Sequence, residues 1–140
     1  MSVENVTLDI GISPQYWDIP PRAKIKLDGS VIFQGDVTEA KVITHKTTLT
    51  EGDHLLEIIL LNKDGRRDTI IEDGKIVKDM LLNIDSVIID DIELGFLTNS
   101  LSVYETESGE IHHNMVNMGW NGTFKLKFSS PIYVWLLENL

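Results

Sequence analysis

A chain of 140 residues fits one ordinary domain and can bury a sizeable core without staples. The absence of cysteine excludes a disulfide framework, a thiolate zinc site and a cysteine nucleophile. A formal net charge of -10, with only 12 Lys and Arg against 22 Asp and Glu, excludes the clustered basic surface that nucleic acid requires.

Val6, Leu8, Ile10 and Ile12 alternate with Thr7, Asp9 and Gly11, the period of a half-buried strand that ends at Ser13-Pro14. From Pro14 to Arg22 three prolines surround Tyr16 and Trp17, so an ordered loop is expected there. Its two rings, Tyr16 and Trp17, either cover the core edge or face a ligand. Asp28-Gly29 between two apolar runs predicts a hairpin, and Glu39 to Thr48 suits a further strand.

His54 to Leu61 and Met80 to Ile89 are near-continuous apolar runs of strand length, expected at the centres of sheets. Asp73-Gly74 predicts a second hairpin between them. Asp90-Asp91 interrupts the second run, and Gly95 to Ser100 reads as a turn. Leu101 to Tyr104 suits a short strand, Glu105 to Asn114 a polar loop, and Asn121-Gly122 a turn into the alternating Phe124, Leu126 and Phe128. Ser130 before Pro131 marks a helix start, with a capping hydroxyl and proline at the first position.

This spacing of short strands predicts an all-β fold. The expected architecture is an antiparallel β-sandwich of jelly-roll type, one domain over residues 1–140, with a short C-terminal helix. No apolar run approaches the roughly 20 residues of a membrane-spanning helix. Met1 to Asn5 lacks the basic start of a signal peptide. The expectation is a soluble protein without an export signal, bound neither to a membrane nor to nucleic acid.

Asn62-Lys63-Asp64-Gly65-Arg66-Arg67-Asp68 concentrates oxygen side chains and charge in one loop. Hard cations such as calcium take oxygen ligands from such loops, and Asp36, Asp73 or Asp79 could add more if the fold brings their turns together. A solvated turn, in which the arginines pair with the aspartates, is the alternative. No cofactor is required by the residues, and calcium is the one that the pattern admits. No nucleophile elbow, phosphate loop, His-Glu-x-x-His helix or dinucleotide fingerprint is present, so no catalytic residue and no enzyme is expected. His112-His113 reads as a solvated pair.

Gly52-Asp53-His54-Leu55-Leu56-Glu57-Ile58 to Asn62, then Arg67-Asp68-Thr69, Lys75 to Asp79 and Ile89-Asp90-Asp91, resembles the core of calcium-dependent, xylan-binding-type carbohydrate-binding modules. That resemblance implies a glycan partner and places calcium on Asn62, Asp64 and Asp68. Asn83 to Asp90 and the closing Ser130 to Leu140 resemble small virion-associated proteins of tailed bacteriophages. This second resemblance implies a non-enzymatic structural module of a phage particle, located in the virion, whose partners are other virion proteins or copies of itself. Ile132, Tyr133, Trp135, Leu136 and Leu140 are then the candidate interface, because exposed apolar clusters mark contacts. Internal docking of the same segment is the competing expectation. The leading reading is the particle module, and the alternative is a calcium-assisted carbohydrate-binding module.

Overall fold

The computed structural model describes residues 2–140. β1 (Val3–Gln15) opens the chain, followed by β2 (Arg22–Leu27), β3 (Ser30–Asp36), β4 (Lys41–Thr50) and β5 (Gly52–Leu60). One helical turn, α1 (Gly65–Asp68), and a small hairpin of β6 (Ile70–Glu72) and β7 (Lys75–Lys78) lead to β8 (Leu81–Ile89) and β9 (Ile92–Glu93). Then come α2 (Phe96–Leu101), β10 (Ser102–Thr106), β11 (Ile111–His113), β12 (Asn117–Met118), β13 (Gly122–Ser130) and α3 (Ile132–Glu138).

Two antiparallel sheets face one another. One has the order β12-β8-β1-β4 with β9 paired to β8, and the other runs β11-β10-β13-β5-β2-β3. β5 lies between β13 and β2, and β8 between β12 and β1, so both long apolar runs take the interior positions expected of them. Each still alternates: His54, Leu56, Ile58 and Leu60 are buried while Leu55, Glu57 and Ile59 are half-buried. The inward rows meet in one core with Leu8, Ile10, Leu82, Val87, Phe124, Leu126 and Phe128. Burying each such side chain is worth roughly 1.5–3 kcal/mol, which makes the interlayer the main stabilising element.

Turn chemistry follows the sequence. Asp28 and Gly29 take φ of 50° and 83°, and Asp73 and Gly74 take 52° and 76°, the paired left-handed values of a tight hairpin. Asp90 and Asp91 adopt the same conformation, at 51° and 64°, so the interruption is a third hairpin turn without a glycine.

Five local expectations differ from what is observed. β1 runs through Ser13-Pro14 to Gln15 and keeps pairing with β8. Gly95 to Ser100 is largely helical, and the polar loop after Tyr104 contains β11. Gly122 is the first residue of β13 and not a turn; a Cβ there would strike the backbone of Glu105 and Thr106, so glycine is required for close strand approach. Ser130 does not cap α3. Its hydroxyl donates to the Glu4 carboxylate, which also accepts the Ile132 N–H at 2.8 Å, so a β1 side chain holds the start of the helix.

The C-terminal segment docks on its own domain. Ile132 and Trp135 are 1% and 7% exposed, and Trp135 meets Phe128 edge-on with ring centroids 6.1 Å apart. These two residues, expected at an intermolecular contact, are therefore core residues here, because the helix turns its apolar stripe onto the open end of the sandwich. Leu136 packs partly against the same core. Tyr133 and Leu140 remain exposed, together with Val134 and Leu137.

Candidate functional site

The opposite end of the sandwich collects the loops around the ends of β1, β5 and β10 and the starts of β2, β8 and β13. Here the 62–68 segment is built as a closed structure. Asn62 bridges to the preceding loop: its Oδ1 accepts the Arg22 N–H at 2.7 Å and its Nδ2 donates to the Pro20 carbonyl at 3.0 Å. Asn121, remote in sequence, accepts the Lys63 N–H at 2.7 Å and donates to the Lys63 carbonyl at 2.8 Å. That pairing copies a backbone ladder with one amide side chain.

Asp64 caps α1, accepting the Arg66 N–H at 3.0 Å. Asp68 is buried, and the Arg67 guanidinium forks onto its two oxygens at 2.9 Å each. The Asp64 N–H adds a bond at 2.8 Å. The Arg67 fork, helped by that N–H, holds the Asp68 carboxyl below the usual carboxylate range despite burial.

The three candidate calcium ligands are thus each turned to a protein donor. Among the described residues, no three His, Asp or Glu side chains converge as a metal-binding group. A calcium ion needs roughly six to eight converging oxygens, and this arrangement does not fit one as it stands.

Trp17 donates its Nε1–H to the Asp68 carbonyl at 3.0 Å, and the Lys78 ammonium lies 4.8 Å from its ring centroid. Tyr16 diverges, donating its hydroxyl to the Thr38 carbonyl at 3.3 Å. Trp17 is 43% exposed and borders α1, whereas Tyr16 is held away from it, so the candidate pair does not act as one platform.

A third aromatic completes this end. Trp120 is 51% exposed and stacks on His112 with ring centroids 5.3 Å apart and planes 8° from parallel. The buried Tyr104 hydroxyl donates to the Trp120 carbonyl and accepts its N–H at 2.9 Å, clamping the backbone beneath the ring. Burial pushes the Tyr104 phenol above its ordinary value although the bond to the Trp120 carbonyl opposes it, so the hydroxyl keeps its proton and stays a donor.

Trp120 lines a cleft of about 290 Å³ with Lys63, Thr69, Thr106, Glu107, Ser108 and Asn121. A second cleft of about 390 Å³ shares Thr106 and Glu107 and continues over Leu61, Thr123 and Lys125. Together they form a shallow surface with one aromatic ring, hydroxyls, an amide and both signs of charge. Such a surface can cover the apolar face of a small polar ring while hydrogen-bonding its edge. Trp120 and Asn121 were not legible as site residues, because no local pattern links them to a loop some sixty positions earlier, and His112, read as one of a solvated pair, instead packs against the Trp120 ring.

No helix of the described residues is long and apolar enough to cross a membrane. No protein-family model and no curated protein matches this chain. Two solved structures share the fold. The carbohydrate-binding module vCBM60 in complex with galactobiose aligns with a TM-score of 0.54 at 10% identity, over 86% of this chain and 96% of that one. Its selenomethionine form, described as linking two families of calcium-dependent carbohydrate-binding modules by circular permutation, aligns with a TM-score of 0.52 at 10% identity, over 86% and 89%. Neither is described as a particle protein, so the virion reading gains no support from them. What this chain shares with both is the antiparallel β-sandwich of a carbohydrate-binding module.

Proposed function

We propose that the chain is a non-catalytic carbohydrate-binding module that lays a sugar ring against Trp120. The carrying observation is a tryptophan half open to solvent and yet fixed from three sides, by His112 stacking, by the Tyr104 hydroxyl and by the adjoining Asn121 bracket. A ring held in place before binding loses little freedom when the ligand arrives. Glu107, Ser108 and Thr69 stand around it as hydroxyl partners. The glycan-bound state of a fold neighbour supports this choice of ligand class.

The test is affinity electrophoresis or calorimetry against a panel of soluble galactans and xylans. Trp120→Ala is expected to weaken binding about tenfold or more, the effect of losing roughly 1.4 kcal/mol of contact, while the melting temperature changes little. A Trp120→Ala protein that binds like the wild type would exclude this cleft.

A second reading rests on the exposed Tyr133, Val134, Leu137 and Leu140, which offer an apolar contact for another copy or another protein. Light scattering across concentration checks it: a monomer at all concentrations removes self-association.

A further inference from the structure

The loop under the cleft contains its own cations. Lys63 Nζ lies 2.7 Å from Asp79 Oδ1, with side chains 8% and 16% exposed. The same oxygen accepts the Thr69 hydroxyl at 2.7 Å and the Met80 N–H at 2.9 Å. Burial alone would raise the Asp79 carboxyl, yet these donors, Lys63 foremost, hold it below the usual range. Alongside, Arg67 forks onto Asp68 and donates to the Asn62 carbonyl at 2.9 Å, which closes the loop on itself.

Two cations thus answer two inward carboxylates in one small region. A divalent ion placed among these oxygens would have to displace an ammonium and a guanidinium already bonded to them.

We infer that this end of the sandwich is ordered without calcium, because Lys63 and Arg67 hold with their own charges the acidic loop that a calcium ion would otherwise neutralise. For its bearing on recognition the inference rests on the glycan reading above, but its test needs no glycan.

The melting temperature of the full chain is measured with a chelator and with millimolar calcium chloride, for the wild type and for Lys63→Met. The wild type is expected to melt at the same temperature in both, since a ligand that does not bind the folded state cannot stabilise it. Lys63→Met is expected to melt several degrees lower, with Asp79 left buried and alone. The double variant Lys63→Met with Asp79→Asn, which removes both charges together, is expected to melt above Lys63→Met.

A saturable rise of the wild-type melting temperature with calcium would overturn the inference. So would a Lys63→Met protein that melts with the wild type, or a double variant that melts below the single one. Absent glycan binding with these melting results intact would remove the glycan reading alone, whereas a calcium-dependent melt with glycan binding preserved would remove this inference alone.

Discussion

Both ends of the sandwich present a tryptophan, and β13 joins them. Trp135, on α3 five residues past the end of β13, is 7% exposed and sits edge-on to Phe128. Trp120, just before the first residue of that strand, is 51% exposed: His112 stacks on its ring and the Tyr104 hydroxyl holds its backbone, and the rest of the ring is open. The first tryptophan closes the core, and the second is displayed by it. The ends also differ in their polar groups. At the α3 end a carboxylate, Glu4, and a histidine, His54, pin the backbone; at the cleft end Lys63, Arg67, Asp68 and Asp79 form a mutually paired set. Burial thus separates a closed end from the end proposed for recognition more clearly than residue type does.

The sharpest way to break this contrast is truncation of the buried ring, with an exposed residue of the same segment as the control. Trp135→Ala is expected to destabilise the chain by about 3–5 kcal/mol in urea unfolding, the usual cost of emptying a large core site. Leu140→Ala, at 83% exposure, is expected to stay within about 0.5 kcal/mol of wild type. If Trp135→Ala were equally silent, α3 would not be docked as described.

An intermediate effect is expected from Asn121→Ala. It leaves the Lys63 N–H and carbonyl without their partner in a partly buried place, at a cost of about 1–3 kcal/mol. Because the same bracket steadies the cleft, glycan affinity should fall with stability, whereas Trp120→Ala should lower affinity alone. Parallel unfolding and binding curves for the two variants make the distinction.

The smallest effects are in the pH dependence, where the ends should respond in opposite directions. His54 Nδ1 lies 2.6 Å from Asp28 Oδ2 and Nε2 lies 2.7 Å from the Thr50 carbonyl. Both partners only accept, so both ring nitrogens donate and the imidazolium is the favoured form. Burial opposes that charge, but the bonds to Asp28 and Thr50 outweigh it and raise the pKa above the ordinary 6.5. The contribution is fully present below that value and is lost as pH rises through the higher folded-state value.

Asp68 and Asp79 at the cleft end are lowered from 3.8, so their contribution is present above that value and lost as pH falls through the folded-state values. Asp28→Asn is expected to flatten the alkaline side of the stability profile and leave the acid side unchanged. An unaltered alkaline slope in urea titrations would rule out the His54–Asp28 pair as its source.

Apolar periodicity was enough to establish the sandwich. Alternation in Val6 to Ile12 and in Phe124 to Phe128, two long apolar runs and two Asp-Gly pairs are local signals, and strands and hairpins are local objects. The 62–68 segment was also legible as the polar loop worth suspecting, since its charges are contiguous. The same contiguity admitted either a metal or arginines paired with aspartates, and only the fold shows that Arg67 takes Asp68, that Asp64 caps α1 and that Lys63 reaches Asp79 outside the segment.

The sequence by itself determined which residues of the long strands face inward and where the Asp-Gly hairpins turn, because both follow from side-chain period and backbone sterics over a few residues. The tertiary structure alone decided that Trp120 and Asn121 join Lys63 at one end while Trp135 is buried at the other. Those outcomes depend on how two sheets stack and which strand ends coincide, and packing of that kind brings together residues that share no local pattern.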